Sequence, residues 1–204
     1  QLGPLQYKPA DENHPEFPTD IYSANKTVAE KYVLLYAKAY GLNATVIRFS
    51  NVFGPKAAIH SNENTFNNFF IGLALQDKLI TVFKPGNQLR NLLYVDDAVE
   101  ALLLAIQSDR TAKETFFAVG NEHYSVKDIA EKTCQIMGGS VKLIDWPKER
   151  VNIEIGDAVI SNSKIKEILD WSPKVSFEEG LAKTYDYYQN KLELSKKTYS
   201  SIKS

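Results

Sequence analysis

The sequence predicts an α/β fold. Three observations carry that expectation: helix-like and strand-like segments alternate, the strand-like ones are short and rich in β-branched residues, and no segment repeats another. The chain has 204 residues, 44% hydrophobic and 24% charged, which suffices for a buried core.

Residues 1–20 contain Pro4, Pro9, Pro15 and Pro18 among several acids, so they read as a surface loop. From Ile21 to Tyr40 the chain turns helical, with Val28, Tyr32 and Leu35 at helical spacing and Gly41 as the stop. Ala44 to Phe49 reads as a buried strand. Thr65 to Asp77 is expected to be a helix, Leu79 to Phe83 a strand and Pro85-Gly86-Asn87 a turn. Val95 to Ser108 is a further helix, with Asp96 and Asp97 at its positive end, and Thr115 to Val119 a strand.

Ser125 to Met137 reads as a helix capped by Ser125 and stopped by Gly138-Gly139, with Cys134 as a buried helical thiol. Val141 to Asp145 follows as a strand and Ser163 to Asp170 as a short helix. A last helix from Ser176 to about Leu194 opens with a capping box of Ser176 and Glu179; residues 195–204 form a polar tail expected to fray.

Lysine plus arginine (24) nearly balance aspartate plus glutamate (25), so no global basic field points to nucleic acid or an anionic membrane. No apolar run is long enough to span a bilayer. The single cysteine cannot form an internal disulfide, which fits a reducing, cytoplasmic setting. His14, His60 and His123 are scattered without metal-ligand spacing, so no metal is expected, and His60 reads as a solvated loop residue between 57 and 64. The chain opens on Gln1 and its only methionine is Met137, so an upstream segment is expected.

The chemistry concentrates in three blocks. Tyr22-Ser23-Ala24-Asn25-Lys26 sets a tyrosine and a lysine four apart on one helix face. An ammonium beside a phenol favours the phenolate, and such a tyrosine can take a proton from a sugar hydroxyl. The spacing alone fits better a half-buried tyrosine above a solvated lysine. Arg48-Phe49-Ser50-Asn51-Val52-Phe53-Gly54-Pro55 follows at the end of the next strand, where ligands gather in α/β folds. In the third block, Gly86 to Asp97, Arg90 lies between a glycine turn and a helix start and is placed to pair with a diphosphate, unless it pairs with Asp96 or Asp97 at the surface.

In this order the blocks resemble the extended short-chain dehydrogenase/reductase family, in particular its NAD-dependent nucleotide-sugar epimerases and dehydratases. Phe117-Ala118-Val119-Gly120-Asn121 and Ile168 to Val175, with Trp171 and Pro173, continue the resemblance over nearly the whole chain. It implies the C-terminal part of a Rossmann-like doubly wound parallel sheet plus a smaller mixed α/β substrate-binding region, without the N-terminal dinucleotide-binding half. Residues 1–55 and 89–120 would belong mainly to the first, and 56–88 and 121–194 mainly to the second.

The resemblance implies roles as well. Tyr22 would be the catalytic acid/base, and Lys26 would lower its pKa and hold the nicotinamide ribose. Phe49 and Ser50 would flank the nicotinamide, and Asn51 would touch the substrate phosphates. Thr81 and Phe83 would lie against the nucleotide base, Phe83 being otherwise a core strand residue, and Arg90 would contact the diphosphate. The cofactor would be NAD and the partner a nucleoside-diphosphate sugar, in a homodimer using a partly apolar face with Val33, Leu34, Tyr36 and Ala37. A 4-epimerase is the first reading; a 4,6-dehydratase, a uronate decarboxylase and a non-catalytic cofactor-sensing or scaffold relative are the others.

Four features depart from the pattern. The third catalytic residue, a serine or threonine, would precede Gln1, and no glycine run of the G-x-x-G-x-x-G kind occurs, so the chain alone is expected to bind NAD poorly and to be inactive. Before Gly156-Asp157, Glu154 stands where an arginine is expected, and Asn91 replaces an aspartate. An acid beside a diphosphate is unfavourable, so either Arg150 reaches in or the substrate sits differently.

Overall fold

The computed structural model describes residues 1–61, 65–148 and 154–202, with side chains up to Lys191. Helix α1 (Ile21–Tyr40) begins where Asp20 accepts a hydrogen bond from the Ser23 N–H at 2.7 Å, and it ends at Gly41 with φ 68°. Strands β1 (Val46–Phe49) and β2 (Asn51–Phe53) follow, then α2 (Phe66–Ala74), β3 (Leu79–Phe83), β4 (Leu89–Tyr94) and α3 (Val95–Gln107). A short 3-10 turn (Asp109–Thr111) leads into β5 (Thr115–Ala118), β6 (His123–Ser125), α4 (Val126–Met137) and β7 (Ser140–Ile144). Helices α5 (Ser163–Leu169) and α6 (Phe177–Ile202) complete the chain.

Three sheets are formed, and the parallel character is as expected. β1 pairs with β5 in parallel, and β3 with β7. β4 takes β2 in parallel on one side and β6 antiparallel on the other. Strands β2, β4 and β6 were not foreseen. β2 and β6 have three residues each, and β4 carries Arg90 and Asn91 in its first half, which hides its pattern; from Asn91 to Tyr94 it is buried as parallel strands are.

The two larger apolar clusters among the described residues fill most of the interior. One joins α2, α4 and the start of α6 around Phe53, Ile71, Ile80, Ile129 and Leu181; the other packs α3 and α5 on β5 around Leu93, Ala101, Phe116, Ile165 and Trp171. The Trp171 segment is tied down through Asp97. The Asp97 carboxylate accepts the N–H groups of Lys174 and Val175 at 3.1 Å each, and its carbonyl accepts the Trp171 indole N–H at 3.2 Å. Asp97 therefore does more than complement a helix dipole.

Several expectations need correction. The proline-rich opening is not merely a surface loop: Leu2 and Ala10 are buried against Phe117 and Val119, and Ala10 forms a parallel bridge with Ile160. A side chain as small as alanine's lets the loop lie directly on the strand. On α1 the repeated Val28, Tyr32 and Leu35 face solvent, because the helix turns Glu30 and Ala37 inward. Ala37 is fully buried and cannot contribute to an exposed face, whereas Val33 and Tyr36 do and Leu34 is half-buried. Cys134 is half-buried rather than buried. Helix α6 continues to Ile202 instead of stopping near Leu194, since no glycine or proline lies between Ser195 and Ile202.

Candidate functional site

Tyr22 lies in the first turn of α1, close to the positive end of the helix, with Lys26 one turn on. The Lys26 ammonium sits 5.5 Å from the centre of the Tyr22 ring, so the two residues share a face and the charge lies over the ring. Tyr22 is 72% exposed, and among the described residues no carboxylate pairs with Lys26.

Tyr22 and Lys26 line a cavity of about 690 Å³ together with Phe49 and Ser50 at the end of β1. The Ser50 hydroxyl is buried and, among the described residues, has no hydrogen-bond partner. A buried hydroxyl without a partner is costly, and it marks a place where a polar ligand atom fits.

The helix carrying Tyr22 is clamped to β1 by a buried cluster. Arg48 donates to both carboxylate oxygens of Glu30 and to Glu16, and its side chain is 8% exposed. Gln1 adds a hydrogen bond to Glu30 at 2.7 Å. Burial pushes the Glu30 carboxyl up, but the hydrogen bonds from Arg48 and Gln1 outweigh it and hold the group below the usual range.

Thr81, Phe83 and Arg90 line a second pocket of about 380 Å³. Its other walls include Phe66, Phe69, Gln88 and Trp146. Trp146 packs on Phe83 with ring centres 4.6 Å apart and donates its indole N–H to the Lys84 carbonyl at 2.5 Å. Trp146 was missed in the sequence; a tryptophan directly after a strand, beside Pro147, was the available signal. Phe83 is half-buried on the pocket wall and not a core residue.

Arg90 does not pair with Asp96 or Asp97. It donates to the carbonyls of Leu89 and Gly156, at 2.9 and 2.6 Å, and to the Glu154 carboxylate at 2.8 Å. Asp157 next in line accepts from Lys8 at 2.8 Å and from the Leu89 N–H at 2.9 Å, and these bonds hold its carboxyl below the usual range. Arg150 lies outside the described residues.

Asn51 lines neither cavity; its amide donates to the Asn91 carbonyl at 3.1 Å, holding β2 to β4. Asn91, the residue in place of an aspartate, is buried. It donates to the carbonyls of Gly120 and Glu122 at 2.7 and 2.8 Å and accepts the Gly120 N–H at 2.6 Å. An amide can do both; a carboxylate could only accept. Gly120 is required here, since a Cβ would meet the Leu92 carbonyl oxygen at 2.2 Å. His60 is exposed, and His123 is half-buried with its Nε2 accepting the Ile160 N–H at 3.2 Å. Among the described residues no group could hold a metal ion, and no helix is long and apolar enough to cross a membrane.

The model of the GDP-mannose 4,6 dehydratase family matches residues 2–184. A putative UDP-glucose 4-epimerase of Methanocaldococcus jannaschii is 30% identical over 92% of this chain and 59% of its own length. A UDP-N-acetyl-alpha-D-glucosaminuronate decarboxylase of Bacillus cytotoxicus is 32% identical over 82% of this chain and 53% of its own. Among solved structures, a UDP-glucose 4-epimerase of Thermotoga maritima crystallised with UDP-glucose superposes with a TM-score of 0.82 at 28% identity, over 92% of this chain and 59% of that one. The chain thus spans little more than half the length of these relatives. With the parallel sheets, the Tyr22–Lys26 helix and a family match over nearly its whole length, the chain belongs to the GDP-mannose 4,6 dehydratase family, among the extended short-chain dehydrogenases/reductases.

Proposed function

We propose that this protein epimerises a nucleoside-diphosphate sugar at C4 through a transient 4-keto sugar, with NAD as cofactor. The observation that carries the reading is the Tyr22–Lys26 pair facing one cavity with Phe49 and the unpartnered Ser50 hydroxyl. These residues fit the nicotinamide end of NAD: Phe49 offers a flat apolar wall, and Ser50 and Lys26 offer hydrogen-bonding groups. Bound there, NAD supplies the hydride acceptor and donor. No glycine-rich run in the sequence suits its diphosphate, so these residues account for the nicotinamide end only.

Tyr22 takes the proton of the C4 hydroxyl as the carbonyl forms, and returns it when the C4 centre is reduced from its other face. Lys26 supplies the positive charge that steadies the phenolate between the two transfers. The second pocket receives the nucleotide, with the base against Phe83 and Thr81 and the diphosphate toward Arg90; Asn51 serves the phosphates through the strand it holds. The exposed Val33 and Tyr36 of α1 support a homodimer through that helix.

The test is incubation of UDP-glucose and, separately, UDP-glucuronate with the full-length protein and NAD, with products followed by NMR. Appearance of UDP-galactose, lost in Tyr22→Phe, is the expected result. Loss of carbon dioxide from UDP-glucuronate with no epimer from UDP-glucose replaces this reading with a decarboxylase. If neither sugar nucleotide is bound or changed, a non-catalytic cofactor-sensing or scaffold role takes its place.

A further inference from the structure

In the Arg90 pocket the cation that would meet a phosphate already has its charge met. Three hydrogen bonds, to Leu89, Gly156 and Glu154, fix the Arg90 guanidinium, and its side chain is 13% exposed. Glu154 is itself held: the oxygen that takes Arg90 also accepts the Gly156 N–H at 3.0 Å. Both charges line the pocket, so an incoming anion faces a carboxylate beside the guanidinium. The rest of the wall is mainly aromatic, with Phe66, Phe69, Phe83 and Trp146, joined by Gln88, Thr81 and two valines. Such a wall grips a flat heteroaromatic ring by stacking and takes no part in binding phosphate.

We propose that Glu154 is a specificity-determining residue of this pocket: by occupying Arg90 it cancels the positive charge there, so a nucleotide is held chiefly through its base and gains little from its phosphates. The proposal deepens the nucleotide-sugar reading and rests on it for the identity of the ligand. It separates this chain from a pocket in which a free arginine grips the diphosphate, because selectivity then falls on the ring and the sugar.

The experiment is calorimetric titration of the 204-residue chain with uridine, UDP and inorganic pyrophosphate, for the wild type, Glu154→Gln, and Glu154→Gln combined with Arg90→Gln. Glutamine keeps an oxygen for Arg90 and Gly156 but removes the charge, so the fold is preserved, and a thermal melt checks it. In the wild type, uridine and UDP should bind within about threefold of each other. Glu154→Gln should tighten UDP and pyrophosphate by at least about tenfold and leave uridine unchanged, and the double variant should lose that gain. If Glu154→Gln leaves UDP and pyrophosphate unchanged or weaker, the proposal is overturned, even where the wild type binds and converts a sugar nucleotide. If the variant gains pyrophosphate affinity while no form binds uridine or UDP, the role of Glu154 stands and the nucleotide-sugar reading falls.

Discussion

The cavity at Tyr22 and the pocket at Arg90 meet their charges in opposite ways. At Tyr22 the phenol is largely exposed, the lysine lies over its ring and a buried serine hydroxyl has no partner. At Arg90 the charges are answered within the chain, by Glu154 for the arginine and by Lys8 for Asp157. The first region keeps unspent hydrogen-bonding capacity, as a place of chemistry must; the second is pre-set, as suits recognition. Rigidity at the first comes from behind it, in the buried Arg48 cluster that fixes the helix and leaves its tip open.

The comparison breaks most sharply at Tyr22. Tyr22→Phe should lower kcat by about a thousandfold with melting temperature and UDP affinity unchanged, since the ring is exposed and only the proton is removed; a loss of folding instead would make the residue structural. Behind it, Arg48→Ala strands Glu30 as a buried acid, while Glu16 keeps Lys31, and should cost about 3–5 kcal/mol in urea unfolding. A cost within a few tenths would mean that the clamp is dispensable.

On the recognition side Asn91→Asp removes both donors from the Gly120 and Glu122 carbonyls, for a loss of about 2 kcal/mol. Because β4 then loosens beneath Arg90, UDP affinity should fall with it, and an unchanged titration would separate the turn from the pocket. The smallest effect concerns acid. Burial lowers the His123 pKa from its usual 6.5, so the stability it contributes is fully present above about pH 6.5 and is lost as pH falls through the lower folded value. Protonation also costs the Ile160 N–H its acceptor. Melting curves between pH 7 and 5 should show a decline that His123→Asn flattens.

The helices were legible because periodicity and caps are local: Gly41, Gly138 and the Ser125 and Ser176 hydroxyls act within a turn of themselves. Strand β4 was not, because its two polar residues serve distant partners, Glu154 and the Gly120 turn. The grouping of Tyr22 and Lys26 with Phe49 and Ser50, and of Thr81 and Phe83 with Arg90, follows the blocks read from sequence. What escaped was the direction of each side chain. Ala37 turns inward and Asn51 turns to a backbone carbonyl; neither follows from residue type, since both depend on which neighbour packs opposite. Trp146 escaped for a similar reason, its slot being defined by Phe83 from another strand.

The Asp97 junction also sets a timetable for folding. Its carboxylate joins amides 77 and 78 residues further along the chain, a closure that waits until the intervening strands and helices have shortened the distance. Trp171, 1% exposed once that closure is made, is a clock for it. In a Trp146→Phe background its fluorescence should shift in the last phase of refolding, after helical signal by circular dichroism has already returned.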